Sequence, residues 1–166
     1  NKSEETVKRY ARECTKFLVD KGVKLIVAAC NTVSSVAMDA VSEMTDLPVI
    51  GMIQPAAGAS LRETVSKKIG VIGTRATINS GAYSSAINEL ADGEQVKVFT
   101  QSCPLFVPIV EEGWMKHPAT KMIAEEYLAD FKKEGVDTLV LGCTHYPLMG
   151  QLFREIMPGI SLIDSG

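Results

Sequence analysis

The sequence predicts an α/β protein made of two similar halves, each with parallel strands. Segments with helical periodicity alternate with short apolar segments along the whole chain. The apolar segments lack polar alternation, which is typical of parallel strands that are covered on both faces. The same order of segments recurs after a shift of 113 residues, which brings residues 22–30 over residues 135–143.

The first half begins with a helix that starts after Ser3 and stops at Gly22. Ser3 is a suitable N-cap, apolar residues recur at helical spacing, and glycine commonly follows a helix C-terminus. A strand over 25–29, a helix over 34–44 and a strand over 48–52 come next.

The second half continues the alternation over more elements. We expect helix, strand, helix, strand, a mixed region of loop and turn, then helix, strand, helix and a last strand that ends at Ile163. Apart from that last strand, they are predicted, in this order, at residues 61–66, 69–73, 80–90, 96–99, 104–112, 117–133, 138–141 and 148–156. Because helices connect the strands, right-handed crossovers between parallel strands are expected.

The repeat at 113 residues has two interpretations. The alternation of helices and strands that all such proteins share could produce it. Alternatively, the halves could be related by a pseudo-two-fold axis. In the second case each half places a cysteine, Cys30 or Cys143, just past the carboxyl end of a core strand. Open parallel sheets bind ligands at that edge.

Charge and hydropathy exclude two classes of partner. The 17 basic and 20 acidic residues are spread along the chain and give a net charge of −3, so neither a nucleic acid nor a membrane surface is expected. The longest apolar runs fall far short of the ~20 residues that a membrane span needs. Four cysteines without a C-x-x-C pair predict free thiols in a reducing, cytoplasmic location.

Two opposed thiols would suit the inversion of a carbon atom next to a carboxylate. One thiolate removes a proton from one face, and a thiol on the other face returns one, without a metal or a redox change. Cys30 and Cys143 each follow a strand and precede a helix, where backbone N–H groups favour a thiolate. The competing interpretation is that each cysteine only fills the core.

Polar residues beside both cysteines could hold the ammonium and carboxylate groups of a substrate. Each cysteine is followed by two of them: Asn31, Thr32, Thr144 and His145. His145 would point the same way as Cys143 in an extended segment and could polarise that thiol. Helix capping is the structural alternative for these side chains.

Other features have weaker chemical interpretations. The turn at 70–77 lacks the G-x-G-x-x-G and Walker patterns, so no nucleotide is expected, and its Thr74 and Thr77 either bind a carboxylate or cap a helix. Glu111 belongs to a pair of acidic residues of a kind that is usually solvated. The two strand-end cysteines and His145 offer three metal ligands, but their spacing is unlike that of zinc sites, so no metal is predicted.

Four segments, in this order, resemble the bacterial glutamate racemases of the aspartate/glutamate racemase superfamily. They are residues 28–32, residues 69–78 with 80–83, residues 106–111 and residues 141–148. The resemblance implies a cofactor-independent isomerase that interconverts L- and D-glutamate. Such an enzyme supplies D-glutamate for peptidoglycan synthesis, and so for cell-wall biogenesis and cell shape.

The resemblance also implies roles for single residues. Cys30 and Cys143 would be the two proton donors and acceptors. His145 and Glu111 would assist the thiols. The residues that would bind the substrate are Asn31, Thr32, Thr74, Thr77 and Thr144.

By the same likeness, the fold comprises two pseudo-symmetric parallel-sheet α/β domains with the site between them. Residues 1–52 would form part of the first domain, residues 53–163 the second, and residues 164–166 would return toward the first. The first domain is expected to be incomplete, because the family's opening Asp-Ser-Gly strand and Tyr-Gly pair have no counterpart here. We therefore expect residues 1–166 alone to have little or no racemase activity.

Alternatives stay open at this point. A related racemase or decarboxylase with the same two thiols could act on aspartate, a hydantoin or a malonate derivative. A small-molecule-binding α/β module without catalysis is the alternative from another class. The expected partner is a small-molecule substrate, glutamate, and a homodimer is the assembly considered.

Overall fold

The computed structural model describes residues 2–164. Ser165 and Gly166 lie outside the described residues, and with them most of the predicted return of 164–166 toward the first domain. The first part of the chain contains α1 (Glu4–Asp20), β1 (Ile26–Ala28), α2 (Asn31–Val36), α3 (Met38–Ser42) and β2 (Val49–Gly51).

The second part contains the remaining elements, with two 3-10 turns at Trp114–Lys116 and Tyr146–Met149. They are α4 (Ile53–Glu63), β3 (Lys68–Gly73), α5 (Arg75–Asn79), α6 (Ala82–Leu90), β4 (Lys97–Ser102), α7 (Phe106–Glu111), α8 (Pro118–Glu134), β5 (Thr138–Gly142), α9 (Gly150–Ile156) and β6 (Ser161–Ile163). None of the helices in the described range is long and apolar enough to cross a membrane.

The predicted α/β class with parallel strands is confirmed. Strands β1 and β2 form one parallel pair, and a four-stranded parallel sheet has the order β4-β3-β5-β6. Every residue of β5 is buried, because helices cover both faces of the larger sheet. One layer packs around Phe106, Leu128 and Phe153, and the other around Ala57 and Ile87.

The smaller sheet is covered differently from the prediction. Ile26 is buried against Ala37 and Val41, whereas its neighbour Val27 is 53% exposed and Ile50 is 44% exposed. The expectation that both faces of residues 25–29 are covered is therefore wrong within the described residues. Helices pack on one face of this strand pair, so an apolar run without alternation leaves half of its side chains in solvent.

Three helix predictions also differ from the structure. The helix expected over 34–44 starts earlier and breaks at Ala37, where φ is −139°; the Ser and Val residues before that point favour a helix only weakly. The helix expected at 61–66 is the end of the longer α4. The region expected to be loop and turn at 104–112 contains α7, which tolerates Pro108 in its first turn.

The repeat is present in the strand register. Val27 pairs with Ile50, and at the same offset of 113 residues Val140 pairs with Ile163. Helices α1 and α8 have 17 residues each and correspond under nearly the same offset. Both are followed by a left-handed glycine, with φ of 73° in the first half and 72° in the second. The division at residues 52 and 53 stays a prediction.

Candidate active site

Both candidate thiols lie where a parallel strand ends. Cys30 is exposed and occupies the N-cap position of α2, two residues after β1. Cys143 directly follows β5 and is 8% exposed. The two cysteines therefore occupy equivalent places in the repeat but differ in their contact with solvent.

The surroundings of Cys143 determine its proton affinity. Burial is the main cause of a raised pKa at this thiol. The backbone N–H groups of His145 and Tyr146 donate to the sulfur and lower the pKa in part. The charge of Cys30 raises it again, so the two sulfurs lie within electrostatic range of each other.

A short chain of side chains runs from Cys143 to a carboxylate. The Cys143 sulfur lies 3.8 Å from His145 Nδ1, and His145 Nε2 lies 3.3 Å from Glu111 Oε1. Glu111 is the last residue of α7, and its side chain is 60% exposed. The structure therefore brings together three residues for which the sequence predicts roles, including Glu111, for which simple solvation is the structural alternative.

The backbone at His145 differs from the expectation. Residue 145 has φ of −80° and ψ of −29°, so it lies in a turn and not in an extended segment. The Tyr146 N–H donates to the Cys143 carbonyl over 3.1 Å, which closes the turn. This turn, and not strand alternation, brings the imidazole back to the sulfur.

Three predicted threonines meet in a triangle of hydroxyl groups. Thr32 Oγ1 lies 3.0 Å from Thr74 Oγ1 and 3.2 Å from Thr77 Oγ1, and the latter two are 3.0 Å apart. Thr74 also caps α5 by accepting from the Thr77 N–H. The capping interpretation is thus confirmed for Thr74, and the triangle ties α2 to α5 beside Cys30.

Asn31 is 2% exposed, and its side chain has one partner. The hydroxyl of Tyr83 donates to Asn31 Oδ1, whereas Asn31 Nδ2 has no hydrogen-bond partner among the residues described. A role for Tyr83 is not predicted from the sequence, because no local pattern links position 83 to position 31.

Thr144 is the predicted residue that stands apart. It is exposed in the turn between Cys143 and His145. In the described part of the chain, no hydrogen bond connects it to the other candidate residues. Its assignment to substrate binding stays a prediction.

Gly142 permits the close packing that precedes Cys143. A Cβ atom at this position would lie 2.7 Å from the backbone oxygen of Ile72 and 3.2 Å from the ring of Tyr83. The oxygen belongs to the neighbouring strand β3 and has little room to move. A larger residue here would push the Cys143 turn out of place.

Neither metal chemistry nor cavity size identifies this site. Within residues 2–164, no group of three or more His, Cys, Asp or Glu side chains is placed to hold a metal ion. A cavity of about 580 Å³ lies near the start of α8, lined by residues that include His117, Lys121 and Leu148, and contains neither thiol. The site is defined by the chemistry of its side chains.

Comparison with known proteins gives consistent matches. A protein-family model described as "Asp/Glu/Hydantoin racemase" matches residues 2–166. Glutamate racemase of Chlorobaculum tepidum is 50% identical over 167 residues, which cover 99% of this chain and 61% of the relative. Glutamate racemase of Persephonella marina is 46% identical, with coverage of 99% and 62%.

A solved structure is similar over the same range. The crystal structure of glutamate racemase from Francisella tularensis in complex with D-glutamate has a TM-score of 0.90 and 37% identity, and the match covers 99% of this chain and 61% of that chain. The present chain thus spans about three fifths of the length of the relatives it matches.

Proposed function

The chain belongs to the Asp/Glu/Hydantoin racemase family, and from this membership we propose that the full-length protein interconverts L- and D-glutamate by proton transfer at two thiols. The observation that carries the proposal is the pair Cys30 and Cys143, which lie at equivalent strand ends within electrostatic range of each other. No cofactor is required, because the thiols themselves carry the protons.

The reaction needs one thiolate and one thiol at a time. The thiolate takes the α-proton of glutamate, so that the C–H bond breaks, an S–H bond forms and the electron pair passes into the carboxylate-stabilised carbanion. The opposite thiol then protonates the other face and becomes the thiolate. Near neutral pH the raised pKa keeps Cys143 protonated, so we propose that it starts as the proton donor.

His145 and Glu111 support Cys143 in this scheme. The imidazole lies next to the sulfur and can accept or donate a proton through Nδ1, while the Glu111 carboxylate holds Nε2. Glutamate itself would be held by the hydroxyl triangle, by Thr144 and by the free donor of Asn31.

We propose glutamate as the substrate because the similar proteins are glutamate racemases. Curated proteins that are 46% and 50% identical to the chain are glutamate racemases, and a similar structure is described in complex with D-glutamate. The proposed reaction supplies D-glutamate for peptidoglycan synthesis. Four free cysteines in the described chain support a cytoplasmic location, and the homodimer stays a prediction.

Single replacements of the two thiols in the full-length protein test the proposal. We expect both Cys30→Ser and Cys143→Ser to abolish racemisation followed by circular dichroism from either enantiomer, because a serine hydroxyl is a far weaker acid than a thiol. Cys14→Ser, at an exposed cysteine on α1, is the matched control and should retain activity. Retention of racemisation by either site variant contradicts the proposal, and an unmodified protein that binds glutamate without racemising it identifies a non-catalytic binder.

A further inference from the structure

Tyr83 lies between the two segments that carry the thiols. Its side chain is buried, with 2% of the residue exposed. The ring packs against Gly142, the residue before Cys143. The hydroxyl reaches Asn31, the residue after Cys30. One side chain on α6 therefore contacts the neighbours of both cysteines.

The Tyr83 hydroxyl is a fixed donor. Burial raises the pKa of this phenol, so the hydroxyl keeps its proton at neutral pH. Its hydrogen bond goes to the oxygen of the Asn31 amide and not to the nitrogen. A phenol hydroxyl can donate or accept, but among the described residues the Tyr83 hydroxyl hydrogen has Asn31 Oδ1 as its one acceptor. Donation to that oxygen therefore sets which way the amide faces.

The opposite end of the Asn31 amide is left without a partner. Asn31 Nδ2 is buried and unpaired within the described chain, although a buried amide donor without an acceptor costs free energy. A carboxylate oxygen of a bound ligand would satisfy this donor. The position next to Cys30 is where such a ligand has to lie if Cys30 exchanges protons with it.

We propose that Tyr83 is a positioning residue, which holds the Asn31 amide with Nδ2 directed at a carboxylate group of the substrate. This inference rests on the proposed racemase function and adds to it a residue that acts through Asn31. Tyr83 does not itself touch the substrate in this account. Loss of its hydroxyl frees the amide to rotate and to present its oxygen, which would repel a carboxylate.

The test is Tyr83→Phe in the full-length protein, which keeps the ring that packs on Gly142. We expect kcat/KM for glutamate to fall roughly tenfold, as for a lost buried hydrogen bond, with the larger share in KM because the affected contact is a binding contact. Tyr127→Phe is the matched control. Tyr127 packs edge-on against Phe106 in the core, and its replacement should leave the kinetics unchanged.

A double-mutant cycle separates positioning from a merely structural role. In an Asn31→Ala background, Tyr83→Phe should have no further effect on kcat/KM, because the group on which it acts is gone. Equal losses in both backgrounds overturn the proposal, and so does a Tyr83→Phe protein with unchanged KM and only a lowered melting temperature.

A readout without catalysis distinguishes this inference from the function on which it rests. The side-chain NH₂ resonances of Asn31, assigned by their loss in Asn31→Ala, should shift in the ligand-free Tyr83→Phe protein. Unshifted resonances refute the positioning role even if the protein racemises glutamate. A protein that shows the shift but racemises no glutamate refutes only the proposed function.

Discussion

Cys143 and Cys30 occupy equivalent positions in the repeat but lie in different surroundings. The Cys143 sulfur is buried beside His145 and accepts hydrogen bonds from backbone N–H groups. Cys30, in contrast, is exposed at the start of a helix. The negative charges near Cys143 add to the effect of burial in raising its pKa. At the residue scale we therefore expect kcat from L-glutamate and kcat from D-glutamate to differ in their dependence on pH, whereas kcat/KM has the same pH profile in both directions because the enantiomers have equal free energy.

The negative charge of Glu111 is one cause of the raised Cys143 pKa. A single substitution removes this charge. A raised pKa means that the thiolate forms only at more alkaline pH, so the reaction direction that uses Cys143 as base should accelerate as pH rises. Glu111→Gln removes one negative charge, and we expect the rising limb of its kcat profile in that direction to move to lower pH. Glu112→Gln, at the adjacent exposed carboxylate, should move it less. A limb that stays in place or moves to higher pH in Glu111→Gln contradicts this account.

At the scale of secondary-structure elements, hydrogen bonds to Asp137 stabilise the connection between α4 and β3. Its carboxylate accepts from Thr64 Oγ1 at 2.7 Å and from the N–H groups of Val65 and Ser66 at 2.8 and 2.6 Å. Burial alone would raise the Asp137 pKa, but these hydrogen bonds prevail and lower it to about 2. The folded state therefore favours the ionised carboxylate.

The stability that this carboxylate provides depends on pH in a definite direction. The pKa is 3.8 in the unfolded chain and about 2 in the folded one, so the contribution is complete above pH 3.8 and is lost as pH falls toward 2. Asp137→Asn should lower the free energy of unfolding at pH 6 by about 1–3 kcal/mol, measured by urea denaturation. The exposed Asp130→Asn on α8 is the control. An Asp137→Asn protein as stable as the wild type would contradict the stabilising role of this carboxylate.

Sequence predicted the order of the strands and the C-terminal ends of two long helices well, because those signals are local. Apolar runs marked β3 and β5, and the glycines after α1 and α8 marked two helix ends. The missed features depend on contacts between distant residues. Tyr83 bonds to a residue 52 positions away, and α7 packs through Phe106 into a core that local patterns do not show. The two thiols were identified because a repeat, and not one motif, pointed to both.

At the scale of the whole molecule, the two sheets have unequal cores. The four-stranded sheet is covered on both faces, whereas the small sheet buries a compact group around Ala11, Ile26 and Val41 and leaves Val27 and Ile50 exposed. Less buried apolar surface means less resistance to local opening. Within the 166-residue chain, the two sheets should therefore differ in stability although their strand registers match.

Hydrogen exchange of the 166-residue chain tests this difference. Amide protons of β1 and β2 should exchange faster than those of β3 and β5, because the small sheet opens without disturbing the larger core. Mass spectrometry of peptides from each strand gives the comparison within one sample. Equal protection of both sheets would show that the chain opens as a single unit.

The fate of the substrate hydrogen tests the two-thiol mechanism most directly. When the full-length protein converts L-glutamate in D₂O, the first D-glutamate formed should carry a solvent deuterium at its α-carbon, while the unreacted L-glutamate keeps its original hydrogen. This follows because the delivering thiol has equilibrated with solvent before the reaction, and the accepting thiol lies on the other face. First-formed D-glutamate that retains the substrate's own hydrogen would mean that one group removes and returns the same proton, and it would contradict catalysis by Cys30 and Cys143 together.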